Sequence, residues 1–173
     1  EIHWPGNDLS GVTIGRGYDM GNRTKTEVER DMIVAGVSAE TAKALSEGAG
    51  LKGDKAKEFA KNNKKKIGKI TEEQQINLFN NIYPVYEKRA EKNYDRWTKN
   101  EKDRVEWDDL DQPIKDMLVD FVYQGFTKGA RPMKAGMNND IDELIEYIKG
   151  SKTLQKYEKG RQRVKYLENY KNS

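Results

Sequence analysis

The stretch Gly11-Val12-Thr13-Ile14-Gly15-Arg16-Gly17-Tyr18-Asp19-Met20-Gly21, preceded by Glu1-Ile2-His3-Trp4-Pro5-Gly6, decides how this chain is read. Gly11 to Gly15 alternates apolar with small or polar residues at period two, a short-strand signature. Glycines at 11, 15, 17 and 21 put tight turns around it, so a small twisted sheet or hairpin is expected. Five of the fifteen glycines lie within residues 1–21, which sets this opening apart from the rest of the chain. By strand alternation Arg16 and Tyr18 share a face with Ile14, where they would line a groove or support it.

Beyond Thr24 the period changes to that of helices. Thr24 with Glu27 reads as a capping box, and Val28, Met32, Ile33 and Val34 form the apolar side of the helix it opens. Ser38 starts a second helix that Gly48 and Gly50 end. A third, largely solvated, covers Asp54 to Asn63, with Lys64-Lys65-Lys66 as its exposed end. Thr71 with Gln74 opens a long helix whose buried face would carry Ile76, Phe79, Ile82 and Tyr83. It would run to about Trp97, with Pro84 kinking or breaking it. Asp111 would cap an apolar helix from Ile114 to Val122 centred on Met117, Leu118, Phe121 and Val122, the expected core. Asp140 opens a helix bearing Ile141, Leu144, Ile145 and Ile148. The last helix, about 158–170, would turn Val164 and Leu167 inward and its Lys and Arg outward.

Composition removes whole classes of chemistry. There is no cysteine, so disulfides, thiolate metal sites and cysteine nucleophiles are excluded. The single histidine, His3, is too little for a zinc hydrolase, and no Gly-x-Ser-x-Gly elbow accompanies it for a serine triad. A net charge of +3 suits an anionic polymer substrate and is too small to indicate nucleic acid. No apolar run approaches the roughly 18 residues of a membrane span. Carboxylates remain in quantity, and carboxylates alone suffice for glycoside hydrolysis. The 173 residues suit one domain, or one domain in two unequal lobes. A first residue of Glu, with no signal peptide, reads as a mature chain or a piece cut from a longer one.

The opening motif, Trp4-Pro5-Gly6 followed by Gly11-Val12-Thr13-Ile14-Gly15-Arg16-Gly17-Tyr18-Asp19-Met20, resembles the phage-type lysozyme superfamily, and within it the pesticin-like branch of bacterial toxins. Ile70-Thr71 leading to Leu78-Phe79-Asn80, Phe121-Val122-Tyr123-Gln124-Gly125 and Gly160-Arg161-Gln162-Arg163 are similar to helix segments of the same superfamily.

The resemblance implies a mainly helical α+β, lysozyme-like fold: one catalytic domain over 1–173, with a small sheet-bearing lobe (about 1–70) and a helical lobe (about 71–173) flanking a glycan-binding cleft. It implies Glu1 as general acid, with Trp4 and Ile2 helping to bury it, Asp19 as second carboxylate, and Thr13 as the hydroxyl that positions water. Asp8, which precedes Thr13 as the phage-branch aspartate does, is the alternative to Asp19. Arg16, Tyr18 and Gln124 are the candidate substrate contacts, with Gln124 equally able to cap its helix. The implied reaction cuts the β-1,4 bond between N-acetylmuramic acid and N-acetylglucosamine, with no metal and no cofactor. A lytic transglycosylase and a non-catalytic peptidoglycan-binding domain are the alternatives. The implied setting is a secreted, monomeric antibacterial effector or bacteriocin, acting in the periplasm or cell wall of a target bacterium. Its partners would be peptidoglycan strands and an immunity protein that plugs the cleft.

Overall fold

The computed structural model describes residues 1–6, 8–15 and 17–173. Among them, nine helices and one small antiparallel sheet form the regular structure, so the protein is mainly helical. No helix of the described residues is long and apolar enough to cross a membrane. The chain divides into two compact units, Glu1–Pro84 and Val85–Ser173.

The first unit begins with the glycine-punctuated opening. Strands β1 (Thr13–Ile14) and β2 (Tyr18–Asp19) pair antiparallel, Thr13 opposite Asp19 and Ile14 opposite Tyr18. His3 bridges to Thr13 on the other side of β1, and Gly11 to Lys52. Ile2, Val12, Ile14, Tyr18 and Met20 are all at most 1% exposed, so one face of this small sheet is core. Helix α1 (Lys25–Val34) starts at the expected capping box: Thr24 Oγ1 accepts from the Glu27 amide. Helix α2 (Ala39–Ser46) is capped by Ser38, and α3 (Asp54–Ile67) includes Lys64 to Lys66 as its last turn, as expected. Val28, Met32 and Leu45 add to the core. Ile33 and Val34 do not: they are 46% and 63% exposed. Four apolar residues in a span of seven exceed what one buried stripe can hold, so two face outward.

Helix α4 (Glu72–Thr98) opens at the second capping box, Thr71 with Gln74, and continues through Pro84 into the second unit. Of the expected kink or break at Pro84, the break does not occur. A proline removes one amide donor, and the turns on both sides of it keep theirs. Leu78 and Ile82 are buried on its first half while Ile76 is 38% exposed, which corrects the predicted face.

In the second unit, α5 (Gln112–Tyr123) has Ile114, Leu118 and Phe121 fully buried, as predicted. Asp111 stands at its N-cap, but its side chain makes no capping bond there. Pro113 already removes one of the amides a cap would serve, and the Asp111 amide itself donates to Asn139 Oδ1 at 2.8 Å. A short α6 (Arg131–Lys134) follows, then α7 (Ile141–Gly150), capped by Asp140 as expected. The predicted last helix is two, α8 (Lys152–Arg161) and α9 (Arg163–Lys171). Between them Gln162 adopts a left-handed conformation (φ 53°). That turn carries Arg163 inward, 1% exposed, where an outward basic residue was expected. Leu167 is buried as predicted and Val164 only half-buried.

Candidate functional site

Three chain segments lie side by side in the first unit. His3 and Thr13 exchange both backbone hydrogen bonds at 2.9 Å. With its amide and carbonyl so used, Thr13 meets Asp19 as a non-hydrogen-bonded pair, the kind in which opposed side chains come closest. Directly paired residues project to the same face, so His3, Thr13 and Asp19 form one row across the sheet. Ile2 is buried whereas Glu1 and His3 are exposed. That alternation puts Glu1 on the face of the row, one pleat along from His3.

The Asp19 carboxylate is held by backbone. Its Oδ1 accepts from the amides of Gly21 (2.7 Å) and Gly11 (3.1 Å), and its Oδ2 also accepts from Gly11 (3.2 Å). Gly11 in particular is needed for this approach. A Cβ on Gly11 would stand 2.4 Å from the Gly21 nitrogen and 2.6 Å from Asp19 Oδ1. Glycine is therefore required at 11 for space rather than for a special φ. The sequence signal was present, a carboxylate two residues before the second of two glycines ten apart, but its meaning as an amide cradle was missed.

Thr13 is 3% exposed, and its hydroxyl donates to the Gly11 carbonyl at 3.1 Å. Its lone pairs can still accept. Glu1 is exposed, which corrects the expectation that Ile2 and Trp4 partly bury it. Ile2 faces the core, and Trp4 is half-buried with its indole N–H donating to the Ser10 carbonyl at 3.2 Å. Asp8 is exposed in the turn between the first segment and β1, apart from the paired row. The His3 pKa is lowered by desolvation of its ring, with the Glu1 backbone hydrogen bond opposing and the charges of the N-terminal ammonium and of Lys64 acting in the lowering direction.

Tyr18 supports the sheet rather than lining a groove. It is 1% exposed, and its hydroxyl donates to Asp31 Oδ2 at 2.6 Å. The Arg23 guanidinium lies 4.2 Å from its ring centre and donates through Nε to the Asp19 carbonyl. Burial, followed by the Asp31 hydrogen bond, pushes the Tyr18 pKa up. Sequence reasoning missed this Tyr18–Asp31–Arg23 cluster, which ties β2 to α1. Arg16 lies outside the described residues.

Gln124 belongs to the second unit, where it is the C-cap residue of α5. Its Oε1 accepts from Arg163 Nη2. Arg163 also donates through Nε to Asp120 Oδ2 at 2.6 Å, and Arg161 reaches Asp120 Oδ1 at 3.2 Å. Of the predicted site residues, then, Thr13 and Asp19 pair in one small sheet, and Glu1 lies two residues before His3, which bridges to it. Tyr18 backs it, and Gln124 is part of a separate polar network.

Among the described residues, no group of three His, Asp or Glu side chains is placed to hold a metal ion. The arrangement offers chemistry through an exposed carboxylate, a second carboxylate fixed by amides, and a hydroxyl between their strands. No curated protein matches this chain. A family model covers residues 1–165, nearly the whole length, and on that match the chain belongs to the family described as a domain of unknown function (DUF8812).

Proposed function

We propose that the chain is a muramidase that hydrolyses the β-1,4 bond between N-acetylmuramic acid and N-acetylglucosamine. The observation that carries the reading is the pairing that sets His3, Thr13 and Asp19 side by side, with Glu1 exposed two residues before His3. In this reading Glu1 protonates the glycosidic oxygen, Asp19 takes a proton from the attacking water, and Thr13 Oγ1 accepts a hydrogen bond from that water. Closure of a glycan over Glu1 would supply the desolvation that the exposed carboxyl lacks.

Strand spacing favours inversion over retention. His3 and Asp19 flank β1, so their Cα atoms are about 10 Å apart, the sum of a hydrogen-bonded and a non-hydrogen-bonded pair spacing. Glu1 lies two residues further along. Side chains reaching across that gap suit the roughly 6.5–9.5 Å that leaves room for a water, rather than the 5–5.5 Å of a direct nucleophile. The lysozyme-like arrangement of lobes around a cleft, the antibacterial effector or bacteriocin setting, action in a target cell's periplasm or wall, and an immunity protein belong to the same proposal and rest on the resemblance of the opening motif.

A second reading, a non-catalytic peptidoglycan-binding domain, is favoured by one observation: Glu1 is exposed while the Asp19 carboxylate is committed to backbone amides. Mass spectrometry of peptidoglycan digests separates the readings. The muramidase releases muropeptides with reducing ends, and Glu1→Gln abolishes that release while leaving stability within about 0.5 kcal/mol, as for an exposed group. Anhydro ends would indicate a lytic transglycosylase, and no soluble product at all would favour the binding domain.

A further inference from the structure

Helix α3 carries six lysines against one aspartate and one glutamate. That one helix is therefore more positive than the whole chain, whose net charge is +3. Lys64, Lys65 and Lys66 occupy its last turn, where cations suit the helix dipole. Lys57 and Lys61 lie in mid-helix and have no such explanation. Ala56 and Ala60 are buried and Phe59 is half-buried, so the helix packs inward through these residues. Lys57, Lys61 and Lys64, spaced four and three apart, form the flank next to that buried stripe.

This flank borders the N-terminal segment of the candidate site. Lys57 Nζ stands 5.6 Å from the centre of the Trp4 ring, and the charge of Lys64 is felt at His3. All three lysines are exposed, and none makes an ion pair among the described residues. A row of exposed ammonium groups that make no ion pair among the described residues, the first of them beside the Trp4 indole, fits a polymer with carboxylates at regular intervals on a sugar backbone.

We infer that the Lys57–Lys61–Lys64 flank binds the stem-peptide carboxylates of peptidoglycan, so that the site selects peptide-bearing glycan over bare glycan. The inference rests on the muramidase or wall-binding reading of the adjoining sheet, but it does not require catalysis. Each contact has the strength of a surface ion pair, and three together give a preference of about tenfold at low salt. The preference should fade as the Debye length shrinks to a few ångströms near 1 M salt.

The test is co-sedimentation of the full chain with sacculi freed of teichoic acid, either intact or stripped of stems by an amidase, across a salt series. Wild type is expected to bind intact sacculi about tenfold more tightly than stripped ones at low salt, and K57Q/K61Q/K64Q to bind both alike. Because the substituted side chains are exposed, the triple variant should keep the wild-type melting temperature, measured in parallel. Equal binding of intact and stripped sacculi by wild type, or a preference that survives in the triple variant, overturns the inference. A single-stranded oligonucleotide bound more tightly than intact sacculi at the same salt, and lost in the triple variant, overturns it in favour of a nucleic acid. Preference without muropeptide release would remove the muramidase reading and leave this one standing.

Discussion

Asp19 and Arg163 solve the same problem in opposite ways. Each is a charged side chain that helps its unit hold its shape, Asp19 at the sheet of the first and Arg163 in the helices of the second. Asp19 is an anion held by main-chain amides, those of Gly11 and Gly21. Arg163 is a cation held by side chains, Asp120 and Gln124, with its guanidinium 5.3 Å from the Phe121 ring centre. Backbone donors cannot be changed by substitution and close the first arrangement completely. The second leaves a flaw: Arg163 Nη1 is buried with no hydrogen-bond partner among the described residues. Main-chain solutions depend on having room, and side-chain solutions on having the right partners far along the chain.

The sharpest way to break the first arrangement is through space. Gly11→Ala would put a methyl 2.4 Å from the Gly21 nitrogen, against backbone that cannot swing away. The expected cost is about 3 kcal/mol or more, at the upper end for overpacking. Denaturant unfolding of the variant measures it, and a loss below about 1 kcal/mol would mean that the glycine crossing is looser than its geometry implies.

For the second arrangement the lever is charge. Arg163→Met removes the guanidinium from Asp120, whose side chain is 32% exposed and keeps Arg161. Breaking a fully buried pair costs about 3–5 kcal/mol; partial exposure, the remaining arginine and relief of the orphaned Nη1 reduce this to about 2 kcal/mol. Arg163→Lys should recover little, because an ammonium cannot span Asp120 and Gln124 as the planar fork does. A lysine variant as stable as wild type would show that only the charge matters.

Asp19→Asn tests whether the first arrangement needs an ion at all. The amide oxygen can still accept from Gly21, but the charge assistance is lost and an NH2 can face the Gly11 amide. About 1.5 kcal/mol is expected, within the range for hydrogen bonds to charged groups. This prediction also bears on the proposed function, because a loss of activity in Asp19→Asn would have a structural cause available as well as the proposed catalytic one. Residual activity has to be compared at equal folded fraction, whereas Glu1→Gln carries no such ambiguity.

Legibility in the sequence follows the same division. Thr24–Glu27, Thr71–Gln74, Ser38 and Asp140 were readable because a cap forms with amides two or three residues away. The pairing of Thr13 with Asp19 came from the structure, whereas the strand alternation of Gly11 to Gly15 was readable for the same local reason. Ile33 and Val34 were not, since an apolar side chain does not reveal whether anything covers it. The inward turn of Arg163 depends on Asp120, 43 residues earlier, and the break at Gln162 uses a left-handed residue that is not glycine. Both are settled by tertiary contact. The candidate site stands between these cases: Glu1, Thr13 and Asp19 were proposed from the motif, while the contacts of Gly11, Gly21 and Arg23 needed coordinates.

The smallest expected effect probes the edge of the same sheet with protons. His3 has its pKa lowered from 6.5, mainly by desolvation. Well above pH 6.5 the ring is neutral in both the folded and unfolded chain and contributes nothing to stability. As the pH falls through 6.5 the unfolded chain takes up its proton first, so the folded state loses ground until the pH passes the lowered folded value. Because the residue is exposed at the surface, solvent screening should keep the loss well under about 1 kcal/mol. Thermal unfolding between about pH 7.5 and 5 should therefore show a shallow decline that is absent in His3→Gln. Removing Lys64 relieves one cause of the lowered pKa, so the decline should be flatter still in the K57Q/K61Q/K64Q background. An unchanged slope there would assign the shift to desolvation and the N-terminal ammonium, whereas a flatter one would make the cation flank and the sheet row electrostatically one surface.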